Sequence, residues 1–537
     1  MKKNLLLPMI LISLALNAQI TFTMQNVQVA GDYKICVVDM NGDFLDDIVG
    51  VSSTNINVLV QEENGTFTSK DYPTSDVQYL PGWSLAAGDF NADGYNDLLY
   101  GSSYGVSFMI SEFNGANLSY NTVAGPQYVF SQRSNFVDIN NDGNLDAYVC
   151  HDTDASVYYL NDGSNNPVFH QGGLGDYPTG GHYGSIWIDY NNDGLIDLYI
   201  AKCGGEEERR KNQLYRNNGD GTFTNVAQQA NLDGTSENWS SAWGDFNNDG
   251  YMDVFNGINA QMQSDSGHHE LMKNNGDGTF SDVTAGSGFD VFDGKSREHF
   301  TYDFDNDGYL DIAGNSHRIF LNNGDMTFTP AIAPFSEASI GDLNNDGFLD
   351  AYVYGTIYLN NGNSNNWLKI NTIGTESNRN GIGARVELYS NLGMQIRDVR
   401  SGDGFSYMSS LNTHFGLGTD TEIEKVIVRW PSGIVDTIEN PDINTTLVVV
   451  EGDHQMGLNN MGADLFSIYP NPVKDVLHIQ GELMQNVNYE IFHINGQQVQ
   501  KGKINKSTIH VNGLAKGIYV ISITQNGKKS NVKFIKQ

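Results

Sequence analysis

The chain has 537 residues, with 64 Asp and Glu against 30 Lys and Arg, a formal net charge of −34 and a pI near 4.4. That length exceeds one ordinary core and implies two or more domains. The acidity excludes nucleic acid as a partner, because a polyanion is bound through a basic footprint.

The N-terminus reads as a secretory signal peptide over residues 1–18. Lys2 and Lys3 form a basic start, Leu5 to Leu16 a short apolar core, and Ala18 the small residue before the cut. The mature chain is expected to begin at Gln19. The apolar core is too short to span a bilayer, and no later stretch is long and apolar enough for a transmembrane helix.

An acidic nonapeptide, Asp-x-Asn/Asp-x-Asp-Gly-x-x-Asp, then recurs seven times. Its oxygen-bearing positions are Asp39, Asn41, Asp43, Asp47; Asp89, Asn91, Asp93, Asp97; Asp138, Asn140, Asp142, Asp146; Asp189, Asn191, Asp193, Asp197; Asp245, Asn247, Asp249, Asp253; Asp303, Asp305, Asp307, Asp311; and Asp342, Asn344, Asp346, Asp350. The copies are spaced by 50, 49, 51, 56, 58 and 39 residues. Periods of this size belong to stacked supersecondary units such as propeller blades.

Side-chain oxygen at positions one, three, five and nine, with a Gly at six, suits Ca2+. That ion takes six to eight hard oxygens, and an EF-hand loop opens with the same spacing and the same Gly. Here the ninth-position Asp closes the loop early, and the flanks read as strands: Ser241-Ala242-Trp243 before the fifth copy, Val254-Phe255 after it. Asn, Asp and Gly also favour metal-free turns. A turn, however, has no need of three carboxylates that repel one another without a cation. Up to seven Ca2+ are therefore expected. They would offset 14 of the 22 negative charges in the loops. The first copy has Phe44 where the others have Gly, and the sixth has a fourth carboxylate, Asp305.

Four strands are legible in each repeat. One enters the loop and one leaves it, as in Ile186-Trp187-Ile188 and Leu198-Tyr199-Ile200. A third runs into an Asn-Gly-Asp-Gly hairpin, as in Leu214 to Phe223, Leu271 to Phe280 and, nearly, Ile319 to Phe328. The fourth begins Thr222-Phe223-Thr224 or similar. Four strands per repeat make a propeller blade. The seventh repeat lacks its fourth strand, and Thr21-Phe22-Thr23 supplies the matching text. Residues 20–28 are expected to complete the seventh blade and remove an open sheet edge.

These repeats resemble FG-GAP and VCBS repeats, as in the integrin α-subunit propeller. The resemblance covers roughly residues 20–365 and implies the fold and the metal rather than the ligand.

Residues 366–452 have no acidic loop but carry alternating runs: Ala384 to Leu388, Lys425 to Trp430 and Thr446 to Val450. The segments Asn378 to Arg385, His414-Phe415-Gly416-Leu417-Gly418 and Trp430-Pro431-Ser432-Gly433 resemble an ASPIC/UnbV domain. Gly381 and Gly383 read as turn glycines, since a dinucleotide fingerprint needs a third Gly and a βαβ unit. Residues 453–464 are a polar linker. From Phe466-Ser467-Ile468-Tyr469-Pro470-Asn471-Pro472 to Leu514-Ala515-Lys516-Gly517-Ile518-Tyr519-Val520, a last Lys-rich module resembles the type A C-terminal sorting domain of type IX secretion. That resemblance implies export across the outer membrane, with the secretion machinery as a partner.

The expected architecture is all-β: a seven-bladed integrin-α-like β-propeller (19–365), a β-rich ASPIC/UnbV domain (366–452), the linker (453–464) and a small β-sandwich sorting domain (465–537).

Cys36, Cys150 and Cys203 cannot form a full disulfide framework. A bridge between Cys150 and Cys203 is open to the sequence, but unpaired buried strand cysteines are expected. Glu206 to Lys211 reads as a self-neutralising loop, with a partner-contacting rim as the sharper reading. His268-His269 could meet a transition metal, but adjacent imidazoles outside a helix diverge. Whether Asp265 lies near His182 is open. No Gly-x-Ser-x-Gly elbow or His-Glu-x-x-His helix occurs. The expectation is a secreted or surface-attached calcium-binding module for an extracellular protein or glycan, with no chemistry of its own. The alternative is a carbohydrate-active lyase or hydrolase with a carboxylate pair on the propeller face.

Overall fold

A computed structural model describes residues 20–113, 117–164, 166–259, 268–402, 406–454, 467–469, 473–480, 487–493, 497–504, 508–525 and 528–536. The expected signal peptide, most of the linker and Asp265 lie outside the described residues.

Among the described residues, seven four-stranded antiparallel sheets precede residue 366 and fit a propeller. In each, the nonapeptide joins the first strand to the second, and the second strand begins at its ninth-position Asp: Asp47–Val51, Asp97–Gly101, Asp146–His151, Asp197–Lys202, Asp253–Asn256, Asp311–Asn315 and Asp350–Val353. The first strands pack around a common axis. Tyr33–Val38 lies against both Ser84–Gly88 of the second sheet and Ser339–Gly341 of the seventh, which brings the row back to its start.

The second strands are buried on both faces, so they read as continuous apolar runs rather than alternating ones. Side chains along a strand point to opposite faces in turn, and here each face meets a neighbouring sheet. Leu98 and Tyr100 pack against the first sheet, while Leu99 packs against the third. Leu198 and Ile200 face the third sheet, Tyr199 and Ala201 the fifth. Val254 faces the fourth and Phe255 the sixth. Separate clusters join the sixth sheet to the seventh and the seventh to the first. Each fully buried Leu, Ile or Phe contributes about 1.5–3 kcal/mol, so the interfaces between sheets form the core. The fourth strands lie outermost and are largely exposed, as in Phe67–Pro73.

The N-terminal strand Phe22–Asn26 pairs antiparallel with Thr356–Asn360, with Phe22 opposite Asn360, and forms the outer strand of the seventh sheet. Phe22 packs edge-on against Phe335 at 5.3 Å. The closure expected from Thr21-Phe22-Thr23 is what the sheet shows.

The second domain has two sheets. Asn366–Ile373 pairs antiparallel with Thr413–Gly418 and parallel with Thr445–Val450, while Gly393–Asp398, Arg385–Ser390, Ile423–Arg429 and Val435–Glu439 form the other. Its core, including Leu368, Val386 and Val428, is continuous with the cluster between the second and third sheets.

The C-terminal module is a pair of sheets closed over Leu477, Ile491, Ile509, Ile521 and Phe534. Cys36, Cys150 and Cys203 are all unpaired and buried. Among the described residues no helix is long and apolar enough to cross a membrane.

Deleting residues 20–28 is expected to leave Thr356–Asn360 as an open edge, with self-association and a lower melting temperature. Size-exclusion chromatography and a thermal melt check this. A monomer melting like the parent would show that the seventh sheet closes by another route.

Candidate metal loops and the face opposite them

All seven loops share one backbone course, set by two left-handed residues. In the fifth loop these are Asn248 (φ +53°) and Gly250 (φ +87°). The first loop follows the same course with the order changed: Gly42 stands at position four (φ +78°) and Phe44 takes the left-handed place at position six (φ +68°). A side chain there costs about 1–2 kcal/mol; the other six loops carry theirs at position four, as Ala92 or Asn, so the first loop moves the strained side chain to Phe44 rather than adding one.

The first-position carboxylate organises the turn. Asp245 Oδ1 accepts the Asp249 N–H at 3.0 Å, and Oδ2 accepts the Gly250 N–H at 2.7 Å. Asp249 Oδ1 accepts the Tyr251 N–H at 3.2 Å, and Asn247 Nδ2 donates to Asp249 Oδ2 at 2.9 Å. The ninth-position Asp253 is a staple. One oxygen accepts the Phe246 N–H within the loop, and the other accepts the Asn274 N–H from the third strand. Asp47, Asp97, Asp146, Asp197, Asp311 and Asp350 make the same pair of contacts. All seven quartets read from the sequence are thus each gathered in one turn.

The first- and ninth-position carboxylates are largely out of water, while the fifth-position Asp lies nearer the surface. In the sixth loop, oxygens of Asp303, Asp305 and Asp311 fall within 4.8 Å of one another. Burial first, and the neighbouring carboxylates second, push Asp303 and Asp311 well above the ordinary range. Burial raises Asp39 and Asp89 to about 7, with Asp43 and Asp93 as the next causes. It raises Asp197 to about 9. Hard oxygens, a left-handed turn and mutual repulsion that a cation relieves without protonation fit a divalent ion of the calcium class.

One set of residues escaped the sequence reading. The residue closing the third strand is an Asn in five of the seven repeats, and in four of them its side chain bridges sheets, while Asn217 donates only to the Ile196 carbonyl of its own loop. Asn322 Nδ2 donates to the Leu310 carbonyl of its own loop and to the Phe246 carbonyl of the preceding one, while Oδ1 accepts the Gly324 N–H. Asn161, Asn274 and Asn360 repeat this. Gln61 donates to the Asp342 carbonyl across the junction of first and seventh sheets. The repeated Asn-Asn-Gly was visible as a hairpin signal, and only its inter-sheet reach was not.

The second domain covers the loop face, and basic side chains from it meet the loop carboxylates. Lys369 Nζ lies 3.1 Å from Asp342 Oδ2, and both side chains are fully buried. Arg385 forks onto Asp398 at 2.7 and 3.0 Å and reaches the fourth loop at the Asp189 carbonyl, 2.7 Å away. Arg397 is buried over the Phe415 ring and interacts with Asp303 and Asp245. Gly416 is required here, since a Cβ would stand 2.1 Å from Asp303 Oδ2.

Residues 399–402 and 406–412 lie against the inner strands, in the axial channel. Arg400 donates to the Trp243 carbonyl, Ser401 Oγ to the Ala87 carbonyl, and Gly402 accepts from Arg133. Ser406 donates to Glu298, at the channel end away from the loops. Met408 exchanges backbone hydrogen bonds with Ile35 and Val37, and Ser410 returns to Asp46 of the first loop.

The other candidates resolve simply. Glu206 to Lys211 holds a short helix, Glu207–Arg210, tied down by Arg209 to Asp152 and by Arg210 to Glu237. His269 is buried against Phe255 and Phe292 while His268 is exposed, so the two imidazoles diverge. Gly381 and Gly383 are turn glycines with φ of +70° and +96°.

The face opposite the loops carries the strand 2–3 hairpins and the connections between sheets. At its centre Trp83 meets Phe130 at 5.7 Å and Trp239 at 6.3 Å, and Tyr183 meets Trp239 at 4.8 Å. The Arg297 guanidinium lies 6.0 Å from the Trp239 ring and pairs with Glu337. Nearby Tyr104 and Tyr128 are 71% and 58% exposed.

Comparison with known proteins agrees with this division. Family models for the FG-GAP-like repeat match residues 39–100, 138–200, 189–255 and 303–353, and for the FG-GAP repeat 81–120. The ASPIC and UnbV model matches 374–456, and the secretion system C-terminal sorting domain 467–537. Cartilage acidic protein 1 of Homo sapiens is 29% identical over 286 residues, 46% of this chain and 41% of that protein. The Mus musculus protein is 28% identical over 298 residues, 48% and 44%. The chain thus spans less than half the length of these relatives. Among solved structures, PorZ, a surface component of the type IX secretion system of Porphyromonas gingivalis, aligns over 96% of this chain and 100% of its own at 10% identity, with a TM-score of only 0.21.

Two outcomes are expected from this geometry. Asn322→Ala should cost about 2–4 kcal/mol, because two buried carbonyls and an N–H lose their partner, whereas exposed Asn323→Ala should cost under about 1 kcal/mol. Equal losses in denaturant unfolding would refute the bridging role. Second, carboxylates raised in the folded state stabilise it when protonated. Their contribution is full below the ordinary carboxylate pKa of about 4 and is lost as pH rises through the folded values, from about 6 for Asp245 to about 9 for Asp197. In chelator, the melting temperature should therefore fall between pH 5 and pH 8; a rise would contradict it.

Proposed function

This chain is an FG-GAP-repeat protein with an ASPIC and UnbV domain and a sorting tail that directs it through type IX secretion to the cell surface or medium, and we propose that it is a calcium-loaded binding module for an extracellular glycan or protein. The observation that carries the reading is the division of its two faces. The loop face is covered by the second domain, which leaves the opposite face to meet a partner. There Trp83, Phe130, Tyr104 and Tyr128 offer aromatic surface beside the charged pair Arg297 and Glu337. Aromatic rings flanked by hydrogen-bonding groups suit both sugar rings and protein hot spots.

Calcium supplies the rigidity. An ion bound only by the folded state stabilises it by about 2.7 kcal/mol per site at a hundredfold excess over Kd. The Asp and Asn quartets of the seven loops would hold it, with the sixth, at four carboxylates, richest in charge.

The test uses the secreted protein with and without calcium. Chelation should lower the melting temperature by more than about ten degrees, and an unchanged melt after verified metal removal would sink the calcium reading. A glycan array and a surface-protein pull-down should give a calcium-dependent ligand whose binding Trp83→Ala weakens at least about tenfold. Retention of full affinity by that variant, with the loss falling instead on loop-face substitutions, would overturn the assignment of the face.

A further inference from the structure

The second domain does more than cover the loops: it places fixed positive charge against carboxylates already committed to the turns. The clearest case is the seventh loop. Asp342, Asp346 and Asp350 carry three negative charges, and a divalent ion would leave one. Lys369 stands 3.1 Å from Asp342 Oδ2 and 3.3 Å from Asn345 Oδ1, with no solvent access on either partner of the ion pair. The oxygen it touches is the one that accepts the Gly347 N–H, while Asp342 Oδ1 accepts the Asp346 N–H. Lys369 therefore reaches the carboxylate from behind the turn. Arg385 does the same at the fourth loop, 4.0 Å from Asp189 Oδ2. Arg397, buried over the Phe415 ring, feels the charge of both Asp303 and Asp245 of the sixth and fifth loops.

The same strands hold the axial segment. Lys369 lies on the strand that pairs with Thr413–Gly418, the segment's exit. Arg397 lies at the end of Gly393–Asp398, its entry.

We propose that Lys369, Arg385 and Arg397 are built-in counter-charges of the calcium loops, so that calcium loading and the seating of the axial segment are one linked equilibrium. The proposal rests on the calcium reading above. These three are positioning residues, not ligands. In a water-poor setting an unbalanced charge is costly. With an ion in the seventh loop, Lys369 offsets the charge the ion leaves, although it shares its own charge with buried Asp46, whose Oδ2 accepts the Asp342 N–H at 2.9 Å. Without the ion, Lys369 faces three repelling carboxylates, and the turn that receives it loosens. A fixed cation also repels a second cation, so Lys369 sets calcium affinity lower than the three carboxylates alone would give. By reciprocity, whatever calcium does to the seating of the segment, seating does to calcium.

Two measurements on the full chain test this. In the first, Lys369→Met is compared with Leu368→Ala, a packing change at the neighbouring buried residue. Lys369→Met should bind calcium about tenfold more tightly at one site, within the usual range of coupling. It should also widen the gap between the melting temperatures in calcium and in EDTA. Leu368→Ala should lower both melts together. A Lys369→Met variant with the parental gap and parental affinity would overturn the proposal. In the second, hydrogen exchange of the wild type is followed on chelation. The Met408 and Ser410 amides, which donate to the Ile35 and Ile340 carbonyls, should lose protection together with the amides of the loops. Loops that open while these amides stay protected would overturn the linkage, even if Lys369→Met does not fold. A wild type that shows no response to chelation at all would instead refute the calcium reading.

Discussion

Carboxylates removed from water and held within a few ångströms of one another are the constraint on which the rest of this molecule depends. Each loop buries its ninth-position carboxylate and most or all of its first, and burial alone raises their proton affinity well before the repulsion of their neighbours is added. The backbone answers part of that demand. The first-position Asp takes N–H groups from positions five and six, and the ninth-position Asp joins its own loop to the third strand of its sheet. These bonds make each sheet's inner three strands a single hydrogen-bonded unit. They do not cancel the charge.

What cancels the charge decides how the domains are arranged. A sheet of this propeller buries its first three strands between two neighbours, so no face remains on which acidic groups could be solvated except the rim where the loops emerge. The second domain is seated over that rim. It contributes cationic side chains on strands that are otherwise apolar, with Lys369 between Leu368 and Ile370, and Arg397 next to Ile396. Such residues are rarely buried without partners, and here the partners belong to the other domain. The axial segment follows from the same geometry. It enters from the strand that carries Arg397 and leaves into the strand paired with the one that carries Lys369, and its described residues reach hydrogen-bonding groups on the inner strands.

The two ends of the propeller are consequently unlike. One is a charged, covered face whose chemistry is directed inward. The other is aromatic at its centre and open, with Arg209 and Arg210 pinning the loop around Glu207–Arg210 into place. Any partner that approaches from outside meets aromatic rings and loop backbone, not the acidic quartets that dominate the composition. A strongly negative net charge thus says little about the chemistry of that open face.

The sequence was sufficient wherever function is local in the chain. Spacing located all seven nonapeptides, the hairpins and the four strands of each sheet, because a turn and its flanking strands are specified by neighbours within a dozen residues. The swap-in of Thr21-Phe22-Thr23 for a missing strand was also legible, since a gap in a repeat names what must fill it. Even the change at Phe44 was visible, although the compensating left-handed Gly42 two residues earlier was not weighed. What only the tertiary structure decided is everything that joins distant segments: the Asn322 side chain spanning two sheets, the meeting of Lys369, Arg385 and Arg397 with acids from 27 to 196 residues away, the placing of residues 399–402 and 406–412 against the inner strands, and the gathering of Trp83 and Trp239 on one face. Those contacts carry no period and no local motif, because they are fixed by how the sheets pack and not by the order in which their residues are written.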